Sequence, residues 1–414
     1  MTRLRICLVS REYPPETHIG GIASYTHKTA AALARLGHEV HVVTSAWKPS
    51  ATYEENGVTV HRFEEPRIKP RELQALAHAR LVRRTIAAIP GRLDIVQACE
   101  WGGEAFWYAL APRHPAPLVT RLATPLFLVE QLNQNSRYGA RGLVYRLMER
   151  TQTRRSDGII SPTRALADIV CRGWRIAPSR VTVVPTGMTA LPEDTGLDGQ
   201  LPEPLQGADY LLYFGRLEER KGVQVLGAAL PAILAAHPQL KAVFVGDDLS
   251  YRGGSMRQAI QAMNGEHADR LVFLPRMPQS ELFPILRAAR LVVLPSLWEN
   301  LANTCLEAMQ LNRPVIATWR CGFEEVIQDG ESGFLVQPGD PDDLARTMLR
   351  VLSDPVLLER VGQRGRARVG DFAIDAMARR LADYYDQLIS ARGPRQQSAS
   401  RATSKKVDRV EVAR

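Results

Sequence analysis

Arg5-Ile-Cys-Leu-Val-Ser10, a helical run from His27 to Leu36, and Glu39-Val-His-Val-Val-Thr44 open the chain as strand, helix, strand. Short apolar runs alternating with helical spacing are the mark of parallel βα units. Gly37 sits where a helix ends in a C-cap. The rhythm continues through Asp94-Ile-Val-Gln97, Leu118-Val-Thr120, Gly158-Ile-Ile-Ser161 and Val181-Thr-Val-Val-Pro185, which predicts one doubly wound α/β sheet. Between Leu191 and Asp209, Pro192, Pro202 and Pro204 alternate with Gly196, Gly199, Gly207 and acidic residues, as in an exposed linker.

A second series begins at Tyr210-Leu-Leu-Tyr-Phe214. It passes through Lys241-Ala-Val-Phe-Val245, Leu271-Val-Phe-Leu274, Leu291-Val-Val-Leu294 and Pro314-Val-Ile-Ala317, predicting a second parallel sheet. From Asp371 to Ile389, Phe372, Met377, Leu381, Tyr384, Tyr385 and Leu388 recur at helical spacing. The organisation predicted is a first Rossmann-like domain over 1–195 and a second over 205–370. A final helix over 371–390 packs back toward the first, and a disordered basic tail covers 391–414.

A chain of 414 residues exceeds the roughly 250 to 300 at which a single core stops growing, in keeping with two domains. Hydrophobic residues make up 45% and charged residues 23%, an ordinary globular composition that favours neither a disordered nor a fibrous class. The net charge of +9 favours phosphates, anionic lipids or nucleic acid without choosing among them. Five cysteines (Cys7, Cys99, Cys171, Cys305, Cys321) with no CxxC pair argue against a disulfide framework or zinc site, and suit a reducing cytoplasm. The run Ile6 to Ser10 is too short for a signal peptide, and no stretch approaches the ~18 apolar residues of a membrane span. Membrane contact is then expected to be peripheral, at the inner face.

Three segments follow strands and open helices. Tyr13-Pro-Pro-Glu-Thr-His-Ile-Gly-Gly-Ile22 places Gly20 and Gly21 where backbone can approach a phosphate at a helix N-terminus, or where a turn needs positive φ. Gly215-Arg-Leu-Glu-Glu-Arg-Lys-Gly222 sets Arg216 and Lys221 at the carboxyl end of a strand, where two cations can neutralise a diphosphate or form a solvated turn. Pro295-Ser-Leu-Trp-Glu-Asn-Leu-Ala-Asn-Thr-Cys-Leu-Glu-Ala-Met309 carries Glu299 in a loop and Glu307 on a helix expected to start near Asn303. Carboxylates accept hydrogen bonds from sugar hydroxyls; alternatively, Glu307 complements the helix dipole. Asp247-Asp248 falls short of a cation cage and reads as a loop. The run Arg137, Arg141, Arg146, Arg150, Arg154 and Arg155, with Leu143, Val144, Leu147 and Met148, reads either as an amphipathic surface for anionic membranes or as a solvated helix face.

These motifs, with Pro185-Thr-Gly187 and Cys321-Gly-Phe-Glu-Glu-Val-Ile-Gln-Asp-Gly330, agree in order and spacing with family 4 glycosyltransferases. The chain resembles that family over nearly its whole length except the tail. The resemblance implies GT-B architecture, two Rossmann-like domains with parallel sheets facing across a cleft. It also implies retaining, metal-independent transfer from a nucleoside-diphosphate sugar, UDP before GDP, to a glycan, lipid-linked or small-molecule acceptor. No cofactor and no nucleic-acid partner are expected. By resemblance Arg216 and Lys221 hold the diphosphate, approached also by the backbone of Gly20 and Gly21, and Glu307 binds the ribose. Glu299 touches the transferred sugar, and the amides of Leu301, Ala302 and Asn303 add contacts. The catalytic set is then Glu299, Arg216 and Lys221.

The chain departs from the family pattern in two places. Ala123, within Leu118-Val-Thr-Arg-Leu-Ala-Thr-Pro125, stands where the family usually has a histidine, and Asn300-Leu301-Ala302 replaces Gly-Phe-Gly. Glu100 and Trp101 lie at a strand end suited to acceptor hydroxyls and stacking, and with Arg121 and Ala123 they form the expected acceptor or sugar pocket. Ala123 also keeps open a catalytically impaired nucleotide-sugar or glycan-binding protein. A nucleotide-sugar epimerase of similar shape is disfavoured by the paired glutamates.

Overall fold

Arg5–Val9 (β1) has Ile6, Cys7, Leu8 and Val9 all buried and runs through the centre of a sheet in the computed structural model of the chain. The structure describes residues 2–15, 20–112, 114–133, 139–190, 199–301 and 303–392. The chain divides into two units, one formed by 1–162, 166–187 and the chain from 374 onward, the other by 163–165 and 188–373. The described part of the expected 391–414 tail ends at Arg392, and residues 191–198 of the expected linker also lie outside the described set. The change of unit falls at 187/188, ahead of the expected 195–205, and at 373/374, three residues past the expected 370/371, with an excursion at 163–165.

In the first unit β1 pairs with Glu39–Ala46 (β2), which pairs with Val58–Glu64 (β4); Ala51–Glu55 (β3) lies antiparallel at the edge. On the other side of β1 follow Ile95–Cys99 (β5), Leu118–Arg121 (β6), Gly158–Ser161 (β7) and Val181–Val183 (β8), all parallel. The strand order is β3-β4-β2-β1-β5-β6-β7-β8. The hairpin β3–β4 adds to the expected set. β3 alternates half-buried and exposed residues, and Val58, Val60 and Phe63 are the buried ones in β4, because only one face meets the core. Helices Gly21–Arg35 (α1), Gln74–Ala88 (α2), Phe106–Ala109 (α3), Leu126–Asn133 (α4), Gly139–Arg155 (α5) and Arg164–Trp174 (α6) connect the strands.

The second sheet has the order β13-β10-β9-β14-β15-β16, all parallel, with β9 Tyr210–Phe214, β10 Lys241–Val245, β13 Leu271–Leu274, β14 Leu291–Val293, β15 Val315–Thr318 and β16 Phe334–Val336. A small hairpin, Ser250–Tyr251 (β11) with Gly254–Ser255 (β12), stands apart. Its helices are Val223–Ala236 (α7), Met256–Met263 (α8), Gln279–Ala288 (α9), Asn303–Gln310 (α10), Pro341–Leu352 (α11) and Pro355–Val369 (α12). Tyr213, Phe244, Leu226, Ile233, Val293, Ile316 and Phe334 fill one buried cluster. A fully buried side chain of this size contributes about 1.5 to 3 kcal/mol.

The final helix, Ile374–Ala391 (α13), begins three residues later than expected because Gly370–Phe372 winds as a 3-10 turn that buries Phe372. Its Ala378, Leu381, Ala382 and Tyr385 join the first-unit cluster with Leu33 and Val40. Gly187 of the Pro-Thr-Gly motif permits this contact, since a β-carbon there would lie 2.7 Å from the Ile374 Cα.

Gly222 has φ 65°, and a β-carbon there would lie 1.8 Å from the Pro295 carbonyl oxygen; at Gly21 one would meet nothing within 4 Å. Gly222→Ala is therefore expected to destabilise the second unit by roughly 2 kcal/mol or more, and Gly21→Ala to change stability by less than about 0.5. Urea denaturation of both variants checks this, and equal midpoints would show that the close approach is not needed.

Candidate functional site

The carboxyl ends of β9 and β14 are neighbours, and the sheet builds away from them on opposite sides. Such a switch point is where open α/β sheets bind ligands. Beyond β9 the chain turns through Gly215 to Gly222, and the Lys221 N–H donates to the Glu218 carbonyl at 3.0 Å, closing a 3-10 turn. Beyond β14 it turns through Pro295 to Asn300, and the Leu297 N–H donates to the Arg220 carbonyl at 2.9 Å. The two turns lie backbone against backbone at Gly222 and Pro295.

That contact brings Lys221 Nζ onto Glu299 Oε2, with Arg220 Nη1 at 3.9 Å. Burial pushes the Glu299 pKa up, but the charges of Lys221 and then Arg220, with the Asn300 N–H, outweigh it and hold the carboxyl below its ordinary range. Glu299 is thus ionised at neutral pH and can only accept hydrogen bonds. Arg216 is 56% exposed and pairs with Glu218 at 3.1 Å. Asn303 is the first residue of α10, as expected, and Glu307 lies in its second turn, with Oε1 accepting from Gln279 Nε2 at 3.0 Å. Leu301 is partly buried, and Ala302 lies outside the described residues.

The Cys321-Gly-Phe motif supports this loop. The Gly322 N–H donates to the Glu299 carbonyl at 2.8 Å, and a β-carbon at 322 would fall 1.2 Å from the Asn300 carbonyl oxygen. Thr163 Oγ1 donates to Asn300 Oδ1 at 3.1 Å. Asp248 Oδ1 accepts the Arg257 N–H at 3.1 Å, and the Asp247 carbonyl accepts the Leu217 N–H at 2.8 Å. Among the described residues no three His, Cys, Asp or Glu side chains gather as a metal site.

In the first unit Gly20 precedes α1 in extended conformation (φ −177°) and Gly21 begins it; neither needs positive φ. Both are exposed; a β-carbon at Gly20 would lie 4.0 Å from Glu12 Oε2, and one at Gly21 would meet nothing within 4 Å. Glu100, expected to meet acceptor hydroxyls, is instead fully buried. Both its oxygens accept the Ala123 N–H, at 2.8 and 2.7 Å, so it fixes the loop after β6 from inside. Burial still pushes its pKa up, against the pull of the Ala123 N–H. Arg121 is likewise internal: its guanidinium carbon lies 3.5 Å from the Tyr25 ring centroid, and Nη2 donates to Thr186 Oγ1 at 2.7 Å. Trp101 packs beside Phe106, Tyr145 and Met148 rather than standing as a free platform, and Ala123 is partly exposed.

Residues beyond the expected set shape this edge. Glu149 accepts the N–H groups of Gly102 and Leu126 at 3.0 and 2.9 Å, and Gln152 Oε1 accepts that of Ala105 at 2.8 Å, anchoring α5 to the turn after β5. Arg11, just past β1, pairs with Glu65, which also meets His78 Nδ1 at 2.8 Å. The Arg11 N–H donates to Glu104 Oε1 at 3.0 Å. Their only sequence signal is a polar residue inside an apolar helix face or just past a strand.

Comparison with known proteins bears on the family. A profile described as "Glycosyl transferases group 1" matches residues 208–354, and "Glycosyltransferase Family 4" matches 19–189. The chain is 28% identical to a glycogen synthase of Mycobacterium tuberculosis over 95% of this chain and 96% of that protein. It is 27% identical to a D-inositol 3-phosphate glycosyltransferase of Streptomyces coelicolor over 90% and 88%. Its fold resembles a sucrose-phosphate synthase from Thermosynechococcus elongatus, with a TM-score of 0.75 at 24% identity over 94% of this chain and 100% of that one.

Burial pushes Glu104 and Glu149 up to about 8, from an ordinary 4.5. A carboxyl with a raised folded-state pKa binds more protons folded than unfolded, so its contribution is full below pH ~4.5 and lost as pH rises toward 8. The thermal midpoint of the first unit is expected to fall between pH 5 and 8, and to fall less in Glu149→Gln. Calorimetry at a series of pH values decides it, and parallel profiles for the two proteins would refute the assignment.

Proposed function

The chain belongs to family 4 of the glycosyltransferases, and we propose that it moves a hexosyl group from a nucleoside-diphosphate sugar to a hydroxyl of a glycan, lipid-linked or small-molecule acceptor, with retention. One observation carries the reading: Lys221 and Glu299 meet at the switch point of the second sheet, with Arg216 on the same edge. As the bond from the anomeric carbon to the bridging phosphate oxygen breaks, negative charge grows on the diphosphate. Preorganised cations stabilise it more than they stabilise the bound substrate. The acceptor oxygen bonds the anomeric carbon on the face the phosphate leaves, and its proton passes to the departing phosphate oxygen, so neither a protein base nor a divalent metal enters the scheme.

Glu299 accepts from hydroxyls of the transferred sugar and Glu307 from the ribose, with the amides of Leu301 and Asn303 adding contacts. Gly20 and Gly21 keep the donor role that the resemblance gives them, supported at Gly21 by the open space around it. UDP before GDP follows the family's usage. Similarity to proteins named for glycogen and for an inositol phosphate leaves the acceptor between a glycan and a small polyol.

Ala123 favours a second reading, a catalytically impaired binding protein. The Ala123 N–H is held by Glu100, so a histidine there would enter a fixed loop. UDP, GDP and ADP, each with its sugars, are to be screened by thermal shift and by turnover; a bound nucleotide at 100 times its Kd raises stability by about 2.7 kcal/mol. Lys221→Ala or Glu299→Ala is expected to lower kcat/KM by about 10² to 10³, with EDTA without effect. Tight binding without turnover by any donor, repaired by Ala123→His, would replace the enzyme reading with the impaired one.

The same proposal places the enzyme in the cytoplasm, in keeping with five free cysteines, and in peripheral contact with the inner membrane face. No helix among the described residues is long and apolar enough to cross a membrane. On α5 the apolar residues divide: Met148 is buried and Val144 packs inward, whereas Leu143 and Leu147 are 63% and 61% exposed beside exposed Arg150, Arg154 and Arg155. Arg146 pairs with Glu130, and Arg137 lies outside the described residues. An outward face with leucines one turn apart and flanking arginines suits an anionic bilayer surface. Flotation with phosphatidylglycerol vesicles is expected to recover the protein but not Leu143→Asp/Leu147→Asp, and equal recovery of both would end this part of the proposal.

A further inference from the structure

Arg220 stands between Glu219 and Lys221 and has no part in the donor contacts proposed for Arg216 and Lys221. Its side chain is 17% exposed; Nη2 donates to Glu218 Oε1 at 2.8 Å, and Nη1 lies 3.9 Å from Glu299 Oε2. Each of these carboxylates also holds one of the two diphosphate cations. Glu218 Oε1 meets Arg216 Nη2 at 3.1 Å, and Glu299 Oε2 meets Lys221 Nζ. One guanidinium therefore bridges both acidic partners, which a planar fork can do and the point charge of an ammonium cannot.

Charge decides what this bridge does. Without Arg220 the edge would set two cations against two carboxylates, and a diphosphate would meet a neutral site in which each cation already has an anion beside it. With Arg220, three cations face two carboxylates, and an excess positive charge awaits the ligand. Glu219, the other carboxylate of the turn, is exposed to water, which screens it.

The backbone is fixed independently of these pairs. The Arg216 carbonyl accepts from Tyr213 Oη at 2.7 Å and from the Glu218 N–H at 3.0 Å, and the Arg220 carbonyl accepts from the Leu297 N–H at 2.9 Å. Only side chains need to change partners. When Arg216 turns from Glu218 to a ligand, Glu218, itself 18% exposed, keeps Arg220; otherwise it would be left as a largely buried charge without a partner.

We infer that Arg220 is a positioning residue of the donor site: it stays on Glu218 and beside Glu299 as their resident counter-ion, and so frees Arg216 for the diphosphate. This rests on the glycosyltransferase reading and adds to it a residue that acts through its neighbours rather than by touching phosphate or sugar.

The test is isothermal titration of the full chain with UDP, GDP and ADP, comparing Arg220→Ala, Glu218→Ala and the double variant. Arg220→Ala keeps the backbone bond to Leu297 and is expected to weaken the bound diphosphate about tenfold or more, as for loss of a charge-assisted contact. In the double variant no Glu218 carboxylate competes for Arg216, so affinity is expected to return to within about threefold of the unaltered chain. A loss at 220 that came only from disturbed structure would not be repaired by a second deletion. Should Arg220→Ala fail to fold, Arg220→Lys carries the same comparison, with a severalfold loss expected because an ammonium does not span both carboxylates. Affinity unchanged by either substitution at 220, or a loss that Glu218→Ala does not recover, overturns the inference while leaving the donor site in place. No binding of any of the three diphosphates by the unaltered chain overturns the donor-site reading itself, and this inference with it.

Discussion

The candidate donor site depends on a missing side chain. Because Gly222 has no β-carbon, the turn after β9 can rest its backbone on the Pro295 carbonyl, and the Leu297 N–H reaches the Arg220 carbonyl. Everything chemical at that edge follows from this contact. Lys221 and Glu299 are 78 positions apart in sequence yet paired, because Lys221 lies between Arg220 and Gly222, whose backbone meets Leu297 and Pro295 in the turn that carries Glu299. The same device recurs at Gly322, which lets the Cys321-Gly-Phe turn support the Glu299 loop from its far side. A loop clamped on both faces loses little further conformational entropy when a ligand arrives.

The first unit solves a different problem, that of holding several carboxyls inside an apolar sheet edge. Glu100 and Glu149 receive backbone N–H groups on both oxygens, the arrangement that best offsets desolvation of a carboxyl. For both the compensation is incomplete, as their raised pKa values show. What these groups achieve is placement: they tie the ends of β5 and β6 to α5, so that the loop bearing Ala123 and the turn bearing Trp101 share one frame.

Most of the two sheets was legible because buried parallel strands must be apolar throughout, and runs such as Leu291 to Leu294 have no other use. The β3–β4 hairpin was not, because Ala51-Thr-Tyr-Glu-Glu55 is an edge with one wet face and reads as loop. The second-unit motif was legible down to the start of α10 at Asn303. The acceptor edge was not: position after a strand tells which end of a sheet a residue occupies, but not whether its side chain turns toward solvent or back into the core. Glu100 and Arg121 both turn inward, Glu100 toward the Ala123 N–H and Arg121 toward Tyr25 and Thr186. No local pattern encodes those partners, which lie 23 to 96 positions away.

The two cations of the donor edge are held with very different firmness, and that difference bears on how each can serve an anion. Arg216 forms a half-exposed pair with Glu218, the kind of contact worth about 0 to 1 kcal/mol, and Glu218 has Arg220 as a second partner at 2.8 Å. Arg216 can leave it at little cost. Lys221 and Glu299 are both largely buried, and removing either would strand a charge in a region where Glu299 is already desolvated. In the proposed donor site an arriving diphosphate would recruit Arg216 by movement but would meet Lys221 where it stands, beside a carboxylate. Such a carboxylate repels a bare phosphate and attracts hydroxyls, so the geometry favours a ligand that presents both, with its sugar on the Glu299 side.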